Sequence, residues 1–108
     1  MADTNHYTIA NLGDASGFEA LAPSGATSIT AALITPTSGF YKGISARAAL
    51  ISVATNSIRY KVYGAVTATE GHPMQAGDTL LLQGASNLKG FNCEDQNGAS
   101  AVFVTVFH

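Results

Sequence analysis

Along positions 100–107 the chain alternates strictly, with Val102, Val104 and Val106 on one side and Phe103, Thr105 and Phe107 on the other. A period of two sustained over this length predicts a β-strand. The same period runs through 57–63, where Ile58, Tyr60 and Val62 oppose Arg59, Lys61 and Tyr63, and it predicts a strand with one wet face. Ahead of it, Ile44 to Ala54 is an almost continuous apolar run. Its alanines and Leu50 favour helix, but Ile51, Val53 and Thr55 are β-branched and the alternation resumes straight after Asn56. The run therefore reads as a strand buried on both faces, joined to 57–63 through a hairpin at Thr55-Asn56.

Turn residues recur from there on, at Gly64, Gly71-His72-Pro73, Gly77-Asp78, Gly84, Gly90 and Asn97-Gly98. They bound further strands at 79–83, 88–93 and 100–107, and Asn97-Gly98, a pair that tolerates positive φ, is expected to join 91–94 to 99–107 as a tight hairpin. Residues 1–43 have a different texture, with five glycines and two prolines around short apolar stretches. Tyr7–Leu12 reads as one strand and Thr27–Thr35 as a better one, stopped by Pro36. Between them, 14–24 offers a helical turn through Phe18 and Leu21 at most. The expected fold is all-β: an antiparallel β-sandwich or jelly-roll-like barrel with an irregular N-terminal segment. It is one domain, with 1–43 as arm and first strands and 44–108 as the main sandwich portion. The core is expected to hold Leu50, Ile58, Tyr60, Val62, Leu80, Leu82, Phe91, Val102, Val104 and Val106.

Composition narrows the function. Only 11% of the 108 residues are charged and nearly half are Ala, Gly, Ser or Thr. The apolar content argues against disorder. A net charge of −2 without a basic stripe argues against nucleic-acid binding. No apolar run approaches the length of a spanning helix. The single Cys93 cannot form an intramolecular disulfide, so packing must hold the fold. Residues 1–6 carry neither a basic stretch nor an apolar one of the secretory kind, so synthesis and folding in the cytoplasm are expected.

Candidate chemistry is sparse. Glu70, His72 and Asp78 make a conceivable His–carboxylate metal set, but zinc sites need ligands at diagnostic spacing, and a turn fixed by Pro73 accounts for the same residues. His6 and His108 lie at the two ends, where mobility is the default. Cys93 precedes Glu94-Asp95, whose charges disfavour a thiolate, and it reads as a spectator. Glu94-Asp95 itself reads as a solvated loop, and no glycine pattern matches a phosphate-binding loop. Arg59 and Lys61 beside Tyr60 and Tyr63 resemble a basic-aromatic strand, yet two cations in an acidic chain release few counterions. No catalytic, cofactor or metal site is expected.

The surface is more informative. Both faces of 100–107 are apolar and the segment carries none of the charges or prolines that protect an edge strand. One face is therefore expected against the core and the other against a partner or the N-terminal segment. Phe40-Tyr41, in a Gly-flanked loop, forms a second apolar spot. The residues expected at partner contacts are Phe40, Tyr41, Tyr63, Phe103 and Phe107.

Residues 47–107 carry Ile58-Arg59-Tyr60 with Gly64, the stretch from Thr67 through Gly71-His72-Pro73 to Gly77-Asp78-Thr79-Leu80, Leu88-Lys89-Gly90-Phe91, and the aromatic strand 102–107. On these motifs this part of the chain resembles a family of small tailed-bacteriophage virion proteins. Gly64-Ala65-Val66 departs from the family's more usual Gly-Thr. The resemblance implies a β-sandwich that decorates or stabilises a capsid without enzymatic activity, located in the virion. Its partners would be capsid or other virion proteins and further copies of itself, with a trimer suiting a capsid threefold site. Two other classes stay open: a carbohydrate- or host-surface-binding module of a tail or fibre, and a cupin-like metalloenzyme, which would need several strand-borne histidines.

Overall fold

The computed structural model describes residues 13–67, 69–96 and 98–108. Alternation becomes strand wherever an apolar file can face the core: β1 (Ala15–Leu21), β2 (Thr27–Ser28), β3 (Ala48–Thr55), β4 (Ile58–Lys61), β5 (His72–Met74), β6 (Thr79–Gln83), β7 (Asn92–Asp95) and β8 (Ala101–Phe107). Two short helices interrupt them, α1 (Ala31–Ile34) and α2 (Ala85–Gly90). The strands form two antiparallel four-stranded sheets, β1-β8-β3-β6 and β2-β7-β4-β5. The fold is all-β and sandwich-like.

Between the sheets lie Ile51 and Val53 of β3, Ile58 of β4, Phe91 and Cys93 around β7, and Val102, Val104 and Val106 of β8, all at most 2% exposed. Tyr60, Val62 and Leu80 pack against this core while half-buried, and Leu82 completes it. Leu50 departs from expectation: it is 42% exposed. It stands on the outer side of β3, between the inward Ala49 and Ile51, so the apolar run is not buried on both faces.

Neither expected hairpin forms. β3 and β4 belong to opposite sheets, as do β7 and β8. Alternation cannot separate the two outcomes, because Val53 and Ile58 point into the core whether their strands lie side by side or face to face. The chain instead turns two corners that brace each other. Asn56, at φ 55°, donates its side-chain amide to the Ala99 carbonyl, and the Gln96 amide donates to the Ser57 carbonyl at 3.0 Å.

Three further segments differ from the sequence reading. Residues 14–24 hold β1, not a helical turn: pairing with β8 sends Phe18 outward and Leu21 inward, where a helix would align them. Thr27–Thr35 keeps two strand residues and then coils into α1. Ala31-Ala32-Leu33 favour helix, and the Glu19 carboxylate takes the Thr30 amide at 2.9 Å, removing it from any ladder. Residues 88–93 begin as α2, because Gly84 at φ 96° redirects the chain and Leu88 alone anchors the helix, fully buried. The strand expected at Tyr7–Leu12 lies outside the described residues.

Candidate interaction surface

Register places the outward side chains of the β1-β8-β3-β6 sheet in rows. Ala20, Phe103, Ser52 and Thr79 lie side by side across the four strands. The next row is Phe18, Thr105, Leu50 and Leu81, and the third is Ala15, Phe107, Ala48 and Gln83. None of these positions carries a charge. Phe18 is 62% exposed and Phe103 38%, with their ring centroids 5.9 Å apart. Two of the three rows thus present a neutral, partly aromatic surface, which is unusual for a sheet side turned to water.

β8 lies inside this sheet, between β1 and β3, so its lack of edge protection is explained by pairing. Phe107, expected at a partner contact, is instead buried at 9% against Ala48.

The outer side of the other sheet is partly covered by its own chain, and Arg59 and Lys61 of β4 stay partly exposed there. Residues 64–66 pack on it, with Val66 buried and its amide bonded to the Asn92 side-chain oxygen at 2.8 Å. Arg59 donates to the Gly71 carbonyl at 2.9 Å, and Lys61 pairs with Glu70 at 2.9 Å. Both cations of the basic-aromatic strand thus hold the 62–71 loop. The Arg59 Nε is buried without a partner.

Two aromatic rings stand clear of both sheets: Phe40 is 90% exposed and Tyr63 92%. Tyr41, grouped with them by sequence, has a structural task. Its hydroxyl donates to Asp14 at 2.9 Å and its ring stacks on His108 at 4.5 Å. The Asp14 hydrogen bond, with desolvation and that carboxylate's charge, raises the phenol above its ordinary value of 10.0. His108 is correspondingly anchored, contrary to the mobility expected at its position. Its Nε2 faces the Ile44 carbonyl at 2.9 Å and the Ile34 carbonyl at 3.2 Å, and its Nδ1 meets the Ser16 hydroxyl. Two carbonyl acceptors require the proton at Nε2. Spacing gives no sign of this knot, which assembles residues from β1, the 35–47 loop and the end of β8.

The conceivable metal set is divided among separate partners. Glu70 bonds Lys61, the His72 ring lies 5.4 Å from Tyr60, and Asp78 accepts the Gln75 amide at 2.8 Å. Among the described residues no three His, Cys, Asp or Glu side chains group as metal ligands. Cys93 is fully buried, and burial, not the neighbouring carboxylates, pushes its thiol up to about 12. A groove of about 410 Å³ between α1 and α2 has Ile29 and Ile34 among its walls and Lys89 as its one charged residue. Among the described residues no helix is long and apolar enough to cross a membrane.

Among the described residues the antiparallel sandwich presents one uncharged sheet face with Phe18, Leu50, Leu81 and Phe103 exposed, a surface suited to apolar contact. No family model, curated protein or solved structure matches the chain.

Proposed function

We propose that this chain is a non-enzymatic structural component of a tailed-phage particle, resident in the virion and serving as a capsid decoration or stabilising protein. The observation that carries the reading is the uncharged outer face of the β1-β8-β3-β6 sheet, on which Phe18, Leu50, Leu81 and Phe103 are exposed among the described residues. Such a face costs solubility in an isolated subunit and suits one held among neighbours. Many copies, each contributing modest area, bind a repetitive shell through avidity. The virion assignment itself comes from the motif resemblance in 47–107.

Co-sedimentation of the purified chain with particles assembled without it tests this reading. Saturable binding is expected, and no binding at any concentration reached overturns it. A second reading, a carbohydrate- or host-surface-binding module, draws on the exposure of Tyr63 and of Phe40, which meets Tyr41 edge-on at 5.0 Å, since exposed aromatic rings stack on sugars. Glycan-array binding that Tyr63→Ala removes would favour it.

A further inference from the structure

We propose that the groove between α1 and α2 binds a small amphipathic anion: a monocarboxylate whose head meets Lys89 and whose apolar body lies over Ile29 and Ile34. The site is separate from the sheet face and goes beyond the virion reading, on which it does not depend.

Space is the first reason. The groove holds about 410 Å³, and every residue that lines it is among those described. Small-molecule sites typically span about 300–1,000 Å³. The opening has a local origin. α1 lines it with the methyl groups of Ala31 and Ala32, both exposed, where longer side chains would fill the space. Across from them α2 turns Leu88 away into the core.

Chemistry is the second reason. Ile29 and Ile34 are 4% and 2% exposed, so core residues form the floor. An apolar floor takes hydrocarbon, and each methylene buried on it strengthens binding about fourfold. Lys89 is the one charged residue on the lining, and no carboxylate lies there to neutralise it. Among the described residues Lys89 has neither an ion-pair nor a hydrogen-bond partner.

This balance selects the ligand. One ammonium group answers one carboxylate, whereas phosphates are held by several donors, commonly Arg forks or the amides of a helix N-terminus. A cationic amphiphile would oppose Lys89. A folded protein partner buries about 20–30 residues a side, and this groove is lined by seven.

Titration of the full chain with sodium octanoate, below its micelle concentration and followed by methyl NMR, tests the proposal. Saturable shifts are expected at Ile29, Ile34, Ala31 and Ala32, with affinity rising from hexanoate to decanoate. Lys89→Glu should weaken octanoate at least about tenfold and leave 1-octanol within about twofold. Lys89→Arg keeps the charge and should bind octanoate within about threefold of wild type. Ala32→Trp fills the groove and should abolish binding of both ligands. Lys89 and Ala32 are exposed, so wild-type circular dichroism is expected of all three variants. Absence of saturable binding overturns the proposal. So does equal affinity for octyltrimethylammonium, or a Lys89→Glu variant that binds octanoate like wild type. Shifts at Ile29 and Ile34 that follow protein concentration instead of ligand give the groove to a second copy and also overturn it.

Discussion

Asn92 accepts the buried Val66 amide at 2.8 Å, which fastens the 64–66 turn to the outer side of its sheet. Its amide group also donates to the carbonyls of Gly64 at 2.9 Å and Gly90 at 3.2 Å. Asn92→Ala leaves these groups without their partner inside the protein. It is expected to lower unfolding free energy by about 2–4 kcal/mol, measured by urea denaturation. Asn92→Asp keeps the acceptor but turns a buried carboxylate oxygen towards the Gly64 and Gly90 carbonyls, and should be no more stable than Asn92→Ala at neutral pH.

Gly90 is required for a close approach. A Cβ added there would overlap the Val62 carbonyl oxygen, a backbone atom that cannot rotate away. Gly90→Ala should therefore cost about 1–3 kcal/mol despite sitting in a helix, where alanine is otherwise favoured. Thermal melts of Gly90→Ala beside Ser86→Ala, at an exposed position in the same helix, separate the clash from helix propensity. Ser86→Ala should hold or slightly raise the melting temperature, and Gly90→Ala should lower it.

Cys93 gives a signed pH dependence. The unfolded thiol ionises near its ordinary value of 9.0, while burial holds the folded thiol protonated to about 12. Between those limits the unfolded state binds fewer protons, so this group's contribution to stability is intact below pH 9 and declines as pH rises towards 12. Cys93→Ala should flatten that decline in denaturation curves collected from about pH 8 to 11. The native thiol should also resist a disulfide reagent at about pH 8 until denaturant is added.

His108 links three segments through its ring. His108→Ala removes the donor to the Ile34 and Ile44 carbonyls and the stack on Tyr41. A loss of about 1–2 kcal/mol is expected, together with faster hydrogen exchange at the Ala46 amide, which bonds the Ile34 carbonyl at 2.7 Å. Exchange at Ile58, in the other sheet, should change only with global stability.

Much of the secondary structure was legible. The alternation of Val102, Val104 and Val106 against Phe103 placed β8 and its buried side correctly, and Ile58 with Tyr60 did the same for β4. Exposure was partly legible: of the five residues singled out, Phe103, Phe40 and Tyr63 are exposed, whereas Phe107 is buried and Tyr41 is engaged by Asp14 and His108. The helical turn at 31–34 competed with a β-branched neighbourhood, and a tertiary hydrogen bond from Thr30 to Glu19 tipped the balance. Leu50 shows the limit of local reading. Nothing in a run of apolar residues says which side will find a covering layer.

The sequence alone determined the all-β class, the inward files of valine and isoleucine, and the poverty of charge, because each follows from side-chain chemistry at a period of two. Tertiary structure decided which strands are neighbours, that the turns at 55–57 and 96–100 are corners between sheets, and that the 64–66 turn packs on one sheet while Phe18 and Phe103 lie exposed on the other. Alternation records only whether a side chain points in or out. Pairing and coverage depend on contacts between residues far apart in the chain, which no local pattern encodes.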